Sequence, residues 1–235
     1  MVHQETKSTR QSISVPVEGT RLDGILDTPP LNGSPARGVI LFAHASGSSR
    51  LSPRNQFVAA ELNKAGFATL LFDLLTLEED RVYDNRFDVG LLSKRLRIAT
   101  HWQTDQSATH ALPVAYFGAS TGAAAALIAA AELGNEIAAV VCRGGRADLA
   151  GAYLRQVKSP TLMLVGELDD DVITMNEDAL GVLRCTKRLS IVPGATHLFE
   201  EPGTLEEVAR QSAEWLREYI PPPAHVTNGQ NKPEK

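Results

Sequence analysis

The chain has 235 residues, 43% of them hydrophobic, which is enough to bury one substantial core, so a single domain is expected. Its formal net charge of −5 gives no basic field for nucleic acid or an anionic membrane surface, and neither is expected as a partner. Cys142 and Cys185 are too few for a disulfide framework and lie in no metal-type spacing. With a polar start from Met1 to Gln11 and no apolar run approaching the ~20 residues of a membrane span, the chain reads as soluble, unexported and cytoplasmic.

Residues 1–10 read as a flexible tail. Ser12 to Val17 and Arg21 to Asp27 form a hairpin pair around Glu18-Gly19, and the Pro-rich stretch from Thr28 to Pro35 is a loop. Gly38 to Ala43 is a continuous apolar run of the buried parallel-strand kind, followed by a Ser/Gly-rich turn and a helix from Pro53 to Ala65, with proline in its first turn. A strand over Ala68 to Leu74 leads to Glu78, Glu79 and Asp80, read as a solvated acidic turn. The short stretch from Leu75 to Asp88 leaves no room for a large cap. A helix over Val89 to Trp102 carries an apolar stripe at Leu91, Leu92, Leu96 and Ile98. The strand Val114 to Phe117 runs through Gly118-Ala119-Ser120-Thr121-Gly122 into an alanine-rich helix over Ala123 to Leu133. Strands at Ile137 to Cys142, Thr161 to Val165 and Lys187 to Val192 follow, each with a functional-looking loop, then a helix from Thr204 to Tyr219. Pro221 begins a polar tail to Lys235. Strands alternating with helices define an α/β domain over 11–220 with a mainly parallel sheet.

G-x-S-x-G at a strand-to-helix turn projects a serine hydroxyl above the sheet, beside the partial positive charge of a helix N-terminus. Composition alone gives about 0.08 such matches in a chain of this make-up, so the weight lies in the context. A serine needs a base, and the base needs a carboxylate that fixes its tautomer. Of six histidines, His197 and His225 follow the acidic loop, and His225 falls in the Pro-rich tail, which selects His197. Glu167, Asp169, Asp170 and Asp171 compete as the acid. Asp169 lies near the strand's C-terminal end, where open α/β sheets place functional groups; Asp170 and Asp171 would be solvated or would cap a helix starting near Thr174. One oxyanion donor follows from geometry, the amide of Thr121. His44 reads as a structural hydrogen-bonding residue. Arg50, Arg54, Arg143 and Arg146 lie in or beside loops of the same face and are candidates for binding a substrate anion.

These residues resemble α/β-hydrolases of the dienelactone hydrolase type over Ser12 to Tyr219. The resemblance rests on His44-Ala45-Ser46-Gly47-Ser48-Ser49-Arg50, Gly118-Ala119-Ser120-Thr121-Gly122, Arg143-Gly144-Gly145-Arg146, Gly166-Glu167-Leu168-Asp169-Asp170-Asp171-Val172 and Gly194-Ala195-Thr196-His197. It implies an α/β-hydrolase fold with a sheet of about eight strands and helices on both faces. The family's Gly-x-x-Asp-x-x-Val pattern favours Asp169 as the acid, and its oxyanion loop points to the Ser46 amide as second donor. Two departures stand out: Ser120 replaces the cysteine nucleophile of dienelactone hydrolases proper, and Ala45 stands where the family reads glycine, a methyl that either narrows the oxyanion approach or requires an altered turn. The expected activity is cleavage of a small carboxylic ester, or a related acyl bond, through an acyl-enzyme on Ser120. Neither a metal nor an organic cofactor is expected, and the partner is a small acyl substrate. The alternatives are acyl transfer to peroxide or an alcohol by the same residues, or a non-catalytic ligand-binding member of the fold.

Overall fold

Strand β1 (Thr9–Val17) pairs antiparallel with β2 (Thr20–Thr28), so ordered sheet begins at Thr9, inside the stretch read from sequence as tail. The computed structural model describes residues 8–30 and 35–223. The expected tails therefore lie outside the described residues over 1–7 and 224–235, as does 31–34 of the expected loop.

β3 (Val39–Ala43) and β4 (Ala68–Phe72) are buried throughout, as parallel strands covered on both faces must be. β5 (Val114–Ala119), β6 (Ile137–Arg143), β7 (Thr161–Gly166) and β8 (Lys187–Val192) complete one eight-stranded sheet in the order β1-β2-β4-β3-β5-β6-β7-β8. Pairing is antiparallel for β1/β2 and β2/β4 and parallel from β4/β3 onward. The C-terminal ends of the parallel strands thus share one edge.

The period-2 alternation of strands sorts the core into two layers. Val39, Leu41 and Ala43 of β3 face one cluster, and Ile40 and Phe42 face the other. The first cluster is covered by α3 (Val89–Thr104) through Leu92 and Leu96, and by α4 (Thr121–Leu133). The second is covered by α1 (Pro53–Lys64) through Val58 and Leu62, and by α6 (Thr204–Tyr219) through Val208, Trp215 and Leu216. α4 is buried from Thr121 to Ala130 on every side, which explains its alanines: small side chains let it lie close to both sheet and neighbouring helix. Among the described residues no helix is long and apolar enough to cross a membrane.

Two local expectations are corrected. Residues Glu78, Glu79 and Asp80 are not a solvated turn but belong to a short helix, α2 (Leu77–Asp80), started by a reciprocal cap in which Thr76 and Glu79 satisfy each other's backbone amides. Glu79 also takes two bonds from buried Arg95 of α3, at 2.6 and 2.5 Å. The Arg95 guanidinium holds the Glu79 carboxyl at about 2. Helix α5 (Asp170–Val182) begins four residues before Thr174; Asp170 and Asp171 sit in its first turn, where carboxylates complement the helix dipole.

The Glu79–Arg95 pair makes stability depend on acid pH. A depressed carboxylate pKa means that the unfolded chain binds protons more readily below its usual range, so stabilisation is complete above about pH 4.5 and fades as pH falls toward 2. Because Glu79 is partly open to solvent, Glu79→Gln is expected to lower the unfolding free energy at pH 7 by about 1–2 kcal/mol. It should also flatten the pH 5-to-2 decline, as read by urea denaturation across pH.

Candidate active site

Ser120 occupies the first position past β5, with φ 50° and ψ −120°. Positive φ is strained for a residue with a side chain and costs about 1–3 kcal/mol unless its surroundings fix it. Here they do: the Ser120 amide donates to the Arg143 carbonyl at 3.1 Å, and its own carbonyl accepts from the Ala123 and Arg146 amides, each at 3.0 Å. The flanking glycines are required by contact. A Cβ on Gly122 would lie 2.1 Å from the Ala43 carbonyl oxygen, and one on Gly118 would lie 2.5 Å from Ala123 Cα. The hydroxyl is thereby held above the strand end where α4 starts.

His197 follows β8 by five residues and Asp169 follows β7 by three. His197 Nδ1 and Asp169 Oδ2 are 2.6 Å apart, the carboxylate mostly enclosed and the imidazole 37% exposed. The bond puts the proton on Nδ1 and leaves Nε2 as the free acceptor. The competing acids have other work or face water: Glu167 accepts from the Gly194 amide at 2.7 Å, and Asp170 and Asp171 belong to α5. The two loops are stitched together, since the Glu167 amide donates to Val192 and the Leu168 amide to Ala195. Glu201 closes the histidine loop by accepting from the Thr196 amide and hydroxyl. Gly144, at φ 51°, lies against the imidazole, where a Cβ would be 3.4 Å from His197 Nδ1. Sequence reasoning missed Glu201 and Gly144. Gly144 left a signal in the paired glycines after β6; Glu201 left none that separates it from other surface carboxylates.

Ser120 and His197 line one open cavity of about 600 Å³, together with the loop from Ala45 to Ser49 and the start of α1. No Ser120–His197 hydrogen bond is among those of the described residues, and such bonds are often long before substrate binds. A separate groove of about 520 Å³ between α1 and α6 is lined by Phe57, Lys64 and Arg210.

The two expected oxyanion donors differ. The Thr121 amide, first in α4, has no acceptor among the described residues. The Ser46 amide is not free: it donates to Thr121 Oγ1 at 2.9 Å. The Ser46 amide can meet another acceptor only if that hydroxyl yields. Ala45 needs no left-handed backbone, since that position in this loop is taken by Gly47 at φ 67°, and Ala45 lines the cavity. His44 lies beneath the loop as a structural residue. Its Nε2 accepts from the Leu74 amide, which leaves Nδ1 to donate to the Ala45 carbonyl, both at 2.9 Å. Burial pushes the His44 pKa down, only partly opposed by that carbonyl and by Asp73 and Asp80.

The candidate anion-binding arginines separate by their partners. Arg50 is bound by Asp73 and Asp23 and does not line the cavity, contrary to expectation. Arg146 makes a two-point bond to Asp148 at 2.9 and 2.8 Å. Arg54 lines the cavity and pairs with Glu200 at 2.6 Å. Arg143 also lines it, is 7% exposed, and has no carboxylate partner among the described residues. Burial, reinforced by the charge of Arg54, lowers Arg143 to about 10. Among the described residues no group of three or more His, Cys, Asp or Glu side chains could hold a metal ion.

The sheet order and the nucleophile-type turn define an α/β-hydrolase. The chain belongs to the dienelactone hydrolase family, whose family model matches residues 22–219. A dienelactone hydrolase from Anabaena variabilis ATCC 29413 is similar in structure, with a TM-score of 0.85 at 52% identity, over 91% of this chain and 99% of that one. A Xanthomonas campestris protein described as an α/β serine hydrolase without lid has the same fold, with a TM-score of 0.72 at 22% identity, over 92% of this chain and 96% of that one. Two curated relatives from Mycobacterium tuberculosis strains, provisionally named phosphoribosyl transferases, are 55% identical over 184 residues. That match covers 78% of this chain but spans only 42% of their length.

His44 supplies a test of the loop's support. A folded pKa below the ordinary 6.5 means that the unfolded chain takes up protons first, so stability falls as pH drops below 6.5. The expected slope from this group is at most about 1.4 kcal/mol per pH unit. Urea denaturation from pH 7.5 to 5.5 should show this slope in the unaltered protein and its reduction in His44→Gln.

Proposed function

We propose that this protein is a serine esterase that cleaves a small carboxylic ester through an acyl-enzyme on Ser120, with His197 as base and Asp169 as the residue that orients it. The observation that carries the reading is the 2.6 Å His197–Asp169 bond, which leaves Nε2 as acceptor in the cavity that Ser120 lines. Ser120 Oγ attacks the carbonyl carbon and its proton passes to His197 Nε2. Asp169 stabilises the imidazolium, which returns the proton to the departing alkoxide. Water, deprotonated by the same nitrogen, then attacks the acyl carbonyl and releases the acid and Ser120 Oγ–H. The Thr121 amide is the first oxyanion donor. The Ser46 amide joins it when the Thr121 hydroxyl gives way to the developing negative oxygen, a stronger acceptor. The short segment from α2 to Phe87 leaves the cavity open, which suits small or accessible acyl groups. The transferase name of the Mycobacterium relatives is a reading of proteins more than twice as long as the matched segment; the groups gathered around Ser120 are those of acyl chemistry.

Ser120→Ala is expected to lower kcat/KM on short-chain p-nitrophenyl esters by about 1,000-fold or more, and Asp169→Asn, which favours the wrong tautomer, by a comparable factor. Full activity in Ser120→Ala would overturn the assignment. Competition between water and added alcohol or peroxide, read as product ratios, distinguishes hydrolysis from acyl transfer.

A further inference from the structure

The residues from Arg143 to Arg146, at the end of β6, tie the site together through their backbone. The Arg143 carbonyl accepts from the Ser120 amide, the Gly144 amide donates to the Leu164 carbonyl of β7 at 2.8 Å, and the Arg146 amide donates to the Ser120 carbonyl. The Gly145 carbonyl has a different partner, the side chain of Asn176 on α5, whose Nδ2 donates to it at 2.7 Å. The segment touches the base as well. A Cβ on Gly144 would lie 3.3 Å from the His197 carbonyl oxygen and 3.4 Å from both Cε1 and Nδ1 of its ring. Gly145 packs just as closely against α4, where a Cβ would be 2.8 Å from Ala123 Cβ.

Asparagine is locally unfavourable at position 176. It lies within α5, where asparagine is a poor helix former. The residue is fully buried, and among the described residues its Oδ1 is enclosed without a donor, a deficit that an apolar side chain would not have. The amide has one sensible orientation, because Nδ2 bonds two carbonyl oxygens, those of Gly145 and Val172, at 2.7 and 2.8 Å. Turning it over would set Oδ1 against both. The bond to Val172 is made within the helix to the residue four back, and a serine could make it as well. What asparagine adds is the bond to Gly145. Since α5 starts directly after Asp169, the helix that follows the acid grips, about two turns on, the segment that holds Ser120 and lies against the imidazole.

We infer that Asn176 is a positioning residue for the proposed reaction: by fixing the Gly145 carbonyl to α5 it holds Gly144 against the His197 ring and Arg146 on the Ser120 carbonyl, so that base and nucleophile keep one mutual geometry. The inference rests on the esterase reading for the role of that geometry, and on the Asn176–Gly145 bond for its source. Without the bond the paired glycines, which have no Cβ to restrict them, gain backbone freedom. A displacement of about 1 Å at a reacting group is enough to slow the chemistry strongly.

Asn176→Ser separates the two bonds, because its hydroxyl can still reach Val172 within the helix but is one bond too short for Gly145. In this variant kcat/KM on p-nitrophenyl butyrate should fall by about 10–100-fold with KM little changed, and fluorophosphonate labelling of Ser120 should slow by a similar factor. Thr100→Val is the matched control. Thr100 is buried on α3, donates to the Leu96 carbonyl four residues back at 2.9 Å and shares a 2.6 Å bond with the Tyr116 hydroxyl, so it loses the same kinds of bond away from Ser120, Asp169 and His197. It should be destabilised in urea yet keep its kcat/KM. The His197 Cε1–H resonance, read by proton–carbon NMR on histidine-labelled protein and assigned with His197→Gln, reports the Gly144 contact without turnover. It should move in Asn176→Ser and stay in place in Thr100→Val. An unmoved resonance, an unchanged kcat/KM, or a fall that Thr100→Val shares overturns the inference and leaves the esterase reading intact. If the unaltered protein cleaves no ester, the esterase reading fails and the resonance alone decides: movement in Asn176→Ser supports the tether, and no movement overturns it. Should Asn176→Ser not fold, Asn176→Ala, which places the best helix former there, is read in the same way.

Discussion

The strained backbone at Ser120 is the constraint around which the cavity-bearing edge of the sheet is arranged. A serine at φ 50° persists because its amide and carbonyl are taken up by Arg143, Ala123 and Arg146, so that β5, β6 and the start of α4 meet at one peptide unit. The same demand explains neighbouring residue choices. Gly122 lets α4 press against the end of β3, Gly118 lets the chain turn back upon Ala123, and the alanines that follow keep α4 close to the sheet. Moving any of these elements would release the turn and redirect the hydroxyl.

The second half of the site depends on loop-to-loop bonding rather than strain. Asp169 and His197 come from loops 28 residues apart in sequence. They meet because the backbone of Glu167 and Leu168 bonds to the loop after β8, while the Glu167 side chain holds Gly194. Gly166 permits that approach, since a Cβ there would stand 2.4 Å from the Ala195 carbonyl oxygen. Carboxylates near the site are thus divided by function: Glu167 and Glu201 hold loops, Glu200 pairs with Arg54, and Asp169 is bonded to the imidazole.

Much of this was legible in the sequence because it is local. The continuous apolar run Gly38 to Ala43 marked a buried parallel strand, and Gly118-Ala119-Ser120-Thr121-Gly122 between a strand and an alanine-rich helix marked the turn. The order of Ser120, Asp169 and His197 gave the candidate constellation, with the resemblance to dienelactone hydrolases selecting Asp169. Pairings across the fold were not legible. Glu79 looked like a solvated acid because Arg95, its buried partner, lies a helix away. Arg50 and Arg143 looked equivalent, yet Asp73 and Asp23 occupy the first and, among the described residues, no carboxylate meets the second. The engagement of the Ser46 amide by Thr121 joins residues 75 apart and has no pattern in either segment.

Reaction with a fluorophosphonate probe, followed by peptide mapping, tests most directly whether the Ser120 turn and the His197–Asp169 pair act together. A single adduct on Ser120 is predicted for the unaltered protein, with labelling slowed strongly when His197 is replaced by alanine in a folded variant. The absence of an adduct on Ser120, or labelling at the same rate without His197, would contradict the account.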